Sequence, residues 1–126
     1  MRLGALDPTR DLNFVTDTVD GYIAVTSADE AVGREVNIAS GSEVSIGELA
    51  RTIIGIVNPQ ATIVSDDDRL RPEKSEVERL LGDNTLVKQL TGWESKVTLA
   101  EGLESTVAWF RDPANLARYK ADIYNV

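Results

Sequence analysis

Two capping boxes, each followed by an amphipathic run, determine where helices begin in this chain. They are Ser45-Ile46-Gly47-Glu48 and Thr98-Leu99-Ala100-Glu101. In such a box the Ser or Thr hydroxyl accepts the N–H of the residue three positions on, and the Glu carboxylate accepts the N–H of the first residue. Apolar side chains follow with the helical period, at 46, 49, 50, 53, 54 and 57 and at 99, 103, 107 and 110. We predict two amphipathic helices, and we expect the apolar face of the first to be buried.

Further helices are predicted from their caps and stops. A short helix over Asn84 to Thr91 should end at Gly92 in the left-handed conformation. Asp112 as the N-cap, with Pro113 at the first helical position, starts another helix that runs to about Tyr119. Thr16 is predicted to cap an earlier helix, which carries Val19, Tyr22, Ile23 and Thr26.

Strand patterns are shorter and fewer. Glu35–Ala39 ends at a Ser-Gly-Ser turn, Ala61–Val64 follows Asn-Pro, and Arg2–Leu6 is a third candidate. Strands that alternate with helices favour an α/β fold with some parallel pairing. The predicted architecture is therefore a small mixed sheet of about three short strands with four to five helices.

Composition excludes several chemistries. The chain has 126 residues, no cysteine and no histidine, so a zinc finger, a disulfide framework, a Ser-His-Asp triad and a thiol nucleophile are ruled out. The net charge is −8, and no cluster of Lys and Arg indicates nucleic-acid binding. No apolar run approaches the ~20 residues of a membrane span. We expect one domain over residues 1–126, in the cytoplasm.

Two segments could bind anions. In the loop over 69–78, guanidinium groups can bind phosphate bidentately, with Arg71 held out of helical geometry by Pro72. The alternative is that they form surface ion pairs with neighbouring Glu side chains. In the second segment, Arg10 and Asp11 precede a helix start, whose N-terminal dipole favours anions. The alternative there is that Arg10 and Asp11 pair with each other on the surface while Asp17 supports the first helical turn.

These segments together resemble the C-terminal part of extended short-chain dehydrogenase/reductases that act on nucleotide sugars. The resemblance covers nearly the whole chain. The run Arg69–Leu81 and the ending Tyr119–Val126 look most like the N-acetylhexosamine-nucleotide 4,6-dehydratases of legionaminic acid biosynthesis. The matching stretches are Arg10–Gly21, Val36–Gly41, Ser45–Leu49, Arg71-Pro72, Ser75–Val77, Asp83-Asn84, Gly92-Trp93, Glu101–Leu103, Thr106 and Trp109.

The resemblance implies a nucleotide-sugar-binding domain over 1–126 that lacks its NAD(P)-binding Rossmann domain. Arg10 and Arg71 would clamp the pyrophosphate of a UDP- or GDP-N-acetylhexosamine, and Glu76 would accept hydrogen bonds from the ribose. The family's Tyr-x-x-x-Lys pair and glycine-rich cofactor motif are both absent from this sequence. No catalytic, cofactor-binding or metal-binding residue is therefore assigned, and NAD(P) is implied for a full-length enzyme only.

Other interpretations of the resemblance stay open. The family reaction it implies takes hydride from C4 of the sugar, loses water across C5–C6 and returns hydride to C6, and none of these steps can be assigned to this chain. A fragment of a 4-epimerase or decarboxylase of the same superfamily is one alternative, and a free-standing binding module without enzymatic activity is another. Helices that would pack on the Rossmann domain are expected to expose apolar surface, which favours self-association.

Overall fold

The structure, a computed structural model, describes residues 1–70 and 77–119. Within these two ranges, five helices confirm the predicted helical content, and two short 3₁₀ turns lie at Asp29–Ala31 and Asp67–Arg69. Each of the five described strands has two residues. In chain order the elements are β1 (Arg2–Leu3), β2 (Thr9–Arg10), α1 (Val15–Thr26), β3 (Val44–Ser45), α2 (Ile46–Val57), β4 (Val64–Ser65), β5 (Arg79–Leu80), α3 (Thr85–Thr91), α4 (Leu99–Arg111) and α5 (Pro113–Leu116).

The described strands form two small sheets. One is the parallel pair β1–β4, which contains parts of the predicted segments Arg2–Leu6 and Ala61–Val64. The other is a mixed sheet in the order β3-β2-β5, with β2 antiparallel to β3 and parallel to β5. This three-stranded mixed sheet confirms the predicted fold class. Its strands were not predicted, because two residues are too few to show the alternation that marks a strand.

The prediction of a strand over Glu35–Ala39 was wrong. The segment has no strand assignment, and its carbonyl groups bond to side-chain amides instead of a neighbouring strand. Asn13 Nδ2 donates to the carbonyl of Ile38 at 3.0 Å, and Asn84 Nδ2 donates to the carbonyl of Ala39 at 3.1 Å. Side-chain donors have therefore taken the place of a sheet ladder on this segment.

Helices α2 and α4 both begin at the predicted capping boxes, with the reciprocal bonds in place. They pack against each other through their apolar faces. The prediction that the α2 face is buried was only partly right, because the face is half-buried at Ile53 and Ile54 and Val57 is 56% exposed. The last turn of α2 still contacts α4, where Arg111 donates a hydrogen bond to the carbonyl of Ile56 at 3.2 Å.

Helix α1 begins two residues earlier than predicted. Phe14 occupies the N-cap position, its side chain makes no capping bond, and Thr16 lies inside the helix. The apolar ring of Phe14 instead contacts α4, where a Cβ built on Gly102 would lie 3.1 Å from the ring. Helix α1 therefore starts by packing against α4 and has no polar cap.

The core is built around α1 and α3. Val87 of α3 is fully buried, and Trp93, which follows the left-handed Gly92, is 8% exposed. A Cβ built on Gly21 of α1 would lie 2.6 Å from Ile38 and 3.2 Å from the Trp93 ring, so the backbone of α1 approaches both side chains closely. Trp93 is therefore a packing residue.

Candidate functional site: the strands that carry Arg10

Arg10 lies at the end of β2, in the centre of the mixed sheet. Its Nη1 donates to the carbonyl of Thr9 and to the carbonyl of Val77, each at 2.7 Å. Two backbone acceptors thus orient the guanidinium, and the second of them belongs to the chain just before β5. The side chain is partly buried.

The other two predicted site residues, Arg71 and Glu76, lie outside the described residues. What the structure does describe is the strand that follows them. β5 runs parallel to β2, with Thr9 opposite Arg79 and Arg10 opposite Leu80. Arg10 and Val77, one from each of the two segments singled out from sequence, therefore meet beside this pair of strands, although they are 67 residues apart in the chain.

Asp11 accepts four hydrogen bonds. Arg10 and Asp11 both lie in the described part of the chain, and they form no ion pair with each other. Its Oδ1 accepts the N–H of Ser40 at 3.0 Å and the Ser40 hydroxyl at 2.6 Å. Its Oδ2 accepts the N–H of Gly41 at 3.0 Å and the N–H of Gly82 at 3.3 Å. The alternative that Arg10 and Asp11 simply pair on the surface is wrong, because the carboxylate joins three separate segments.

Glycines at two of these positions allow the close approach. Gly41 has a φ of +75°, a conformation that L side chains rarely adopt, and Gly82 has no room for a Cβ, which would lie 2.3 Å from the Cβ of Ala39. The turn at 40–41 and the end of β5 are therefore pressed together on either side of Asp11. We call the carboxylate of Asp11 with Ser40, Gly41 and Gly82 the Asp11 cluster.

Asp17 has a comparable role at another place. It is 3% exposed, and its Oδ2 accepts the Ser95 hydroxyl at 2.8 Å and the N–H groups of Lys96 and Val97 at 2.9 Å each. Burial alone would raise the pKa of Asp17, but the bonds from Val97, Ser95 and Lys96 outweigh it and hold the pKa below its ordinary value. Asp17 lies in the first turn of α1, as predicted, and it also anchors the chain that leads into α4.

An ion pair joins the outer strands of the mixed sheet. Glu43, one residue before β3, accepts three hydrogen bonds from the guanidinium of Arg79 of β5 at 2.7 to 3.0 Å and a fourth from the Thr9 hydroxyl at 2.7 Å. The Arg79 bonds, followed by the Thr9 bond, lower the pKa of Glu43 to about 2. Neither residue was predicted, because nothing in the sequence indicates that positions 43 and 79 lie close together in the fold.

Two open cavities lie beside the Asp11 cluster. One, of about 580 Å³, lies between the turn at 40–44 and the segment 95–99. The other, of about 620 Å³, is lined by Asp11, Asn13, the segment 36–39 and residues 80–83. Arg10 lines neither cavity. Its guanidinium lies beside the mixed sheet, where it bonds to the carbonyls of Thr9 and Val77.

The residues of this chain do not fit an NAD(P) site of the usual kind. No G-x-G-x-x-G turn follows a strand, and neither Tyr22 nor Tyr119 has a lysine four residues later. Among the described residues, no helix is both long enough and apolar enough to cross a membrane.

Comparison with known proteins gives a consistent set of relatives. A family model described as GDP-mannose 4,6 dehydratase matches residues 1–106. The UDP-glucose 4-epimerase of Mycolicibacterium smegmatis is 33% identical over 105 residues, which are 82% of this chain and 32% of that protein.

Solved structures agree with the sequence matches. An epimerase of Methanothermobacter thermautotrophicus superposes with a TM-score of 0.83 and 32% identity, over 93% of this chain and 34% of that one. A Bordetella bronchiseptica enzyme in complex with NAD+ and UDP superposes with a TM-score of 0.65 and 32% identity, over 87% of this chain and 30% of that one. The chain therefore spans about a third of the length of the relatives it matches.

Proposed function

Because this chain belongs to the GDP-mannose 4,6-dehydratase family, within the extended short-chain dehydrogenase/reductases, we propose that it is the nucleotide-sugar-binding part of an NAD(P)-dependent enzyme. The superfamily contains nucleotide-sugar epimerases, dehydratases and decarboxylases. Within it, we propose a 4,6-dehydratase that acts on a UDP- or GDP-N-acetylhexosamine, as in legionaminic acid biosynthesis. The reaction would take place in the cytoplasm.

The observation that carries this proposal is the orientation of Arg10. Its guanidinium is held by two backbone carbonyls before any ligand arrives, so little side-chain freedom is lost on binding. Guanidinium groups present a planar set of donors that matches phosphate oxygens. We propose that Arg10 binds the pyrophosphate together with Arg71, and that Glu76 accepts hydrogen bonds from the ribose. The roles of Arg71 and Glu76 rest on the family resemblance alone.

We propose that catalysis itself depends on polypeptide outside this chain. A relative crystallised with NAD+ and UDP is about three times as long as the part that matches. This sequence lacks both the Tyr-x-x-x-Lys pair and the glycine-rich cofactor turn. The chain alone is therefore expected to contribute substrate contacts and to be catalytically incomplete.

The surface of α1 supports a docking role. Val15, Val19, Tyr22 and Ile23 are 50% to 64% exposed, and their spacing places them along one side of the helix. An exposed apolar stripe of this kind marks an interaction surface. We propose that a cofactor-binding domain covers it, and that the chain self-associates through the same stripe when that domain is absent.

Calorimetric titration with UDP and GDP tests the proposal. The protein is the whole polypeptide that the gene encodes, and the variants are Arg10→Ala, Arg10→Lys and the control Arg34→Ala, which removes an exposed arginine elsewhere. Loss of charge-assisted bonds at Arg10 should weaken nucleotide binding about tenfold or more. Arg10→Lys should recover only part of it, because an ammonium lacks the planar fork. Equal effects of Arg10→Ala and Arg34→Ala would refute the role of Arg10, and no binding of either nucleotide by the unmodified protein would refute the proposed function.

A further inference from the structure

We propose that Asp11 is a positioning residue for nucleotide binding, acting through Arg10. The inference rests on the proposed function, since it assumes that Arg10 contacts the pyrophosphate. What it adds is a second residue, one that touches no ligand, on which the affinity of the site depends.

The first argument is the completeness of the Asp11 cluster. Each carboxylate oxygen accepts two hydrogen bonds, and together they come from residues 29, 30 and 71 positions away in the chain. An ionised carboxylate has about four acceptor positions, so this one is fully used. Asp11 thereby fixes three segments at one point: the end of β2, the turn at 40–41 and the chain just after β5.

The second argument is the position of Asp11 next to Arg10. The backbone N–H of Asp11 donates to the carbonyl of Leu80 at 2.8 Å, and its carboxylate holds Gly82, two residues further on. At the opposite end of β5, the carbonyl of Val77 accepts a hydrogen bond from Arg10 and so orients its guanidinium. Asp11 thus fixes β5 against β2, and the position of β5 determines where the carbonyl that orients Arg10 lies. Releasing the Asp11 cluster would let this carbonyl shift and with it the guanidinium.

Asp11→Asn is expected to weaken the hold of residue 11 on β5, and it changes the size and shape of the side chain very little. An asparagine can keep its oxygen toward Ser40, but its amide group then faces the N–H groups of Gly41 and Gly82, which are donors as well. Two of the four bonds are lost and replaced by donor–donor contacts. The matched control is Asp17→Asn, the same substitution at a carboxylate that also accepts backbone N–H groups but anchors the segment 95–97.

The test measures the dissociation constant of UDP, and KM and kcat for a UDP-sugar, in the whole polypeptide that the gene encodes. Asp11→Asn should raise the dissociation constant and KM about tenfold and change kcat less than threefold, because the chemistry is elsewhere. Asp17→Asn should leave the dissociation constant unchanged. In an Arg10→Ala background, Asp11→Asn should add less than a twofold further loss, since its effect passes through Arg10.

Three results would overturn the inference while the proposed function stands. They are an unchanged UDP affinity in Asp11→Asn, an equal loss in Asp17→Asn, and a full tenfold loss from Asp11→Asn in the Arg10→Ala background. No binding of either UDP or GDP by the unmodified protein would instead overturn the proposed function on which the inference rests, and if only GDP binds, the same variants are measured with GDP and a GDP-sugar.

If Asp11→Asn does not fold, a pair of less destabilising variants tests the role of Asp11. Ser40→Ala removes one bond to Asp11, and Ser95→Ala removes the corresponding hydroxyl bond to Asp17. The first should weaken UDP binding about threefold and the second should not change it. Equal UDP affinities of the two variants would overturn the inference.

Discussion

Replacing Asp17 with alanine removes the acceptor of three hydrogen bonds from a carboxylate that is 3% exposed. The Ser95 hydroxyl can turn to another partner, but the N–H groups of Lys96 and Val97 are fixed by the backbone. A buried donor left without an acceptor costs about 1 to 3 kcal/mol. Two such donors therefore lower the free energy of unfolding by about 2 to 6 kcal/mol, a large part of the stability of a typical small domain.

Urea unfolding followed by tryptophan fluorescence measures this loss, because Trp93 is buried against α1. At ordinary urea sensitivities the unfolding midpoint should fall by about 2 M. The matched control is Asp20→Ala, on the exposed side of the same helix, which should change the free energy of unfolding by no more than about 0.5 kcal/mol. A loss below about 1 kcal/mol for Asp17→Ala, or similar losses for both variants, would refute the reasoning.

The same carboxylate predicts a dependence of stability on pH. The pKa of Asp17 is lowered in the folded chain, because its hydrogen bonds favour the ionised form more than burial opposes it. The stabilisation is therefore complete above the ordinary value of 3.8 and is lost as pH falls through the lowered value. Asp17→Asn should remove this part of the acid-side slope in urea midpoints measured from pH 6 downward, and an unchanged slope would contradict the assignment.

Three further variants test the packing and the ion pair. Gly55→Ala in α2 meets nothing within 4 Å and should stabilise the chain by about 0.5 to 1 kcal/mol, whereas Gly82→Ala would bring a Cβ within 2.3 Å of Ala39 and should destabilise it by about 1 to 3 kcal/mol. Thermal unfolding of both checks the signs, and a stabilising Gly82→Ala would contradict the described packing. Because its folded pKa is about 2, Glu43 contributes stability above about 4.5 that disappears as pH falls toward 2, so Glu43→Gln should flatten this range of the stability profile. An unaltered profile would mean that the pair with Arg79 does not form in solution.

Local signals in the sequence predicted the helices well. The capping boxes at Ser45 and Thr98 require only residues three positions apart. Gly92 ends α3 because a glycine readily adopts the left-handed backbone conformation found there. The start of α1 was misplaced because its first residue is determined by the contact of Phe14 with α4, which is far away in the chain.

The sheets and the candidate site were predicted less well, for the same physical reason. Strands of two residues show no periodicity, and the extended segment over Glu35–Ala39 bonds to side-chain amides that the sequence does not place beside it. Arg10 was singled out from sequence as a candidate anion ligand, but the carbonyl of Val77 that orients it was not foreseen. Asp11 and Asp17 had been interpreted through their near neighbours and Glu43 had not been singled out, whereas the described partners of these carboxylates lie 29 to 80 residues away.

The distance along the chain over which Asp17 acts has a consequence for biosynthesis. Its partners lie 78 to 80 residues later, and closing a loop of that length costs roughly 4 kcal/mol of chain entropy. A capping box can form as soon as a single turn of helix exists, but this carboxylate has no acceptor role to play until residue 97 has left the ribosome. A nascent chain synthesised as far as residue 90 therefore lacks the bonds that hold α1 to the entry of α4, although its helical segments can already form. Chaperones and proteases would meet the chain in that state, with the side of α1 at Gly21, which Trp93 contacts in the folded chain, still uncovered.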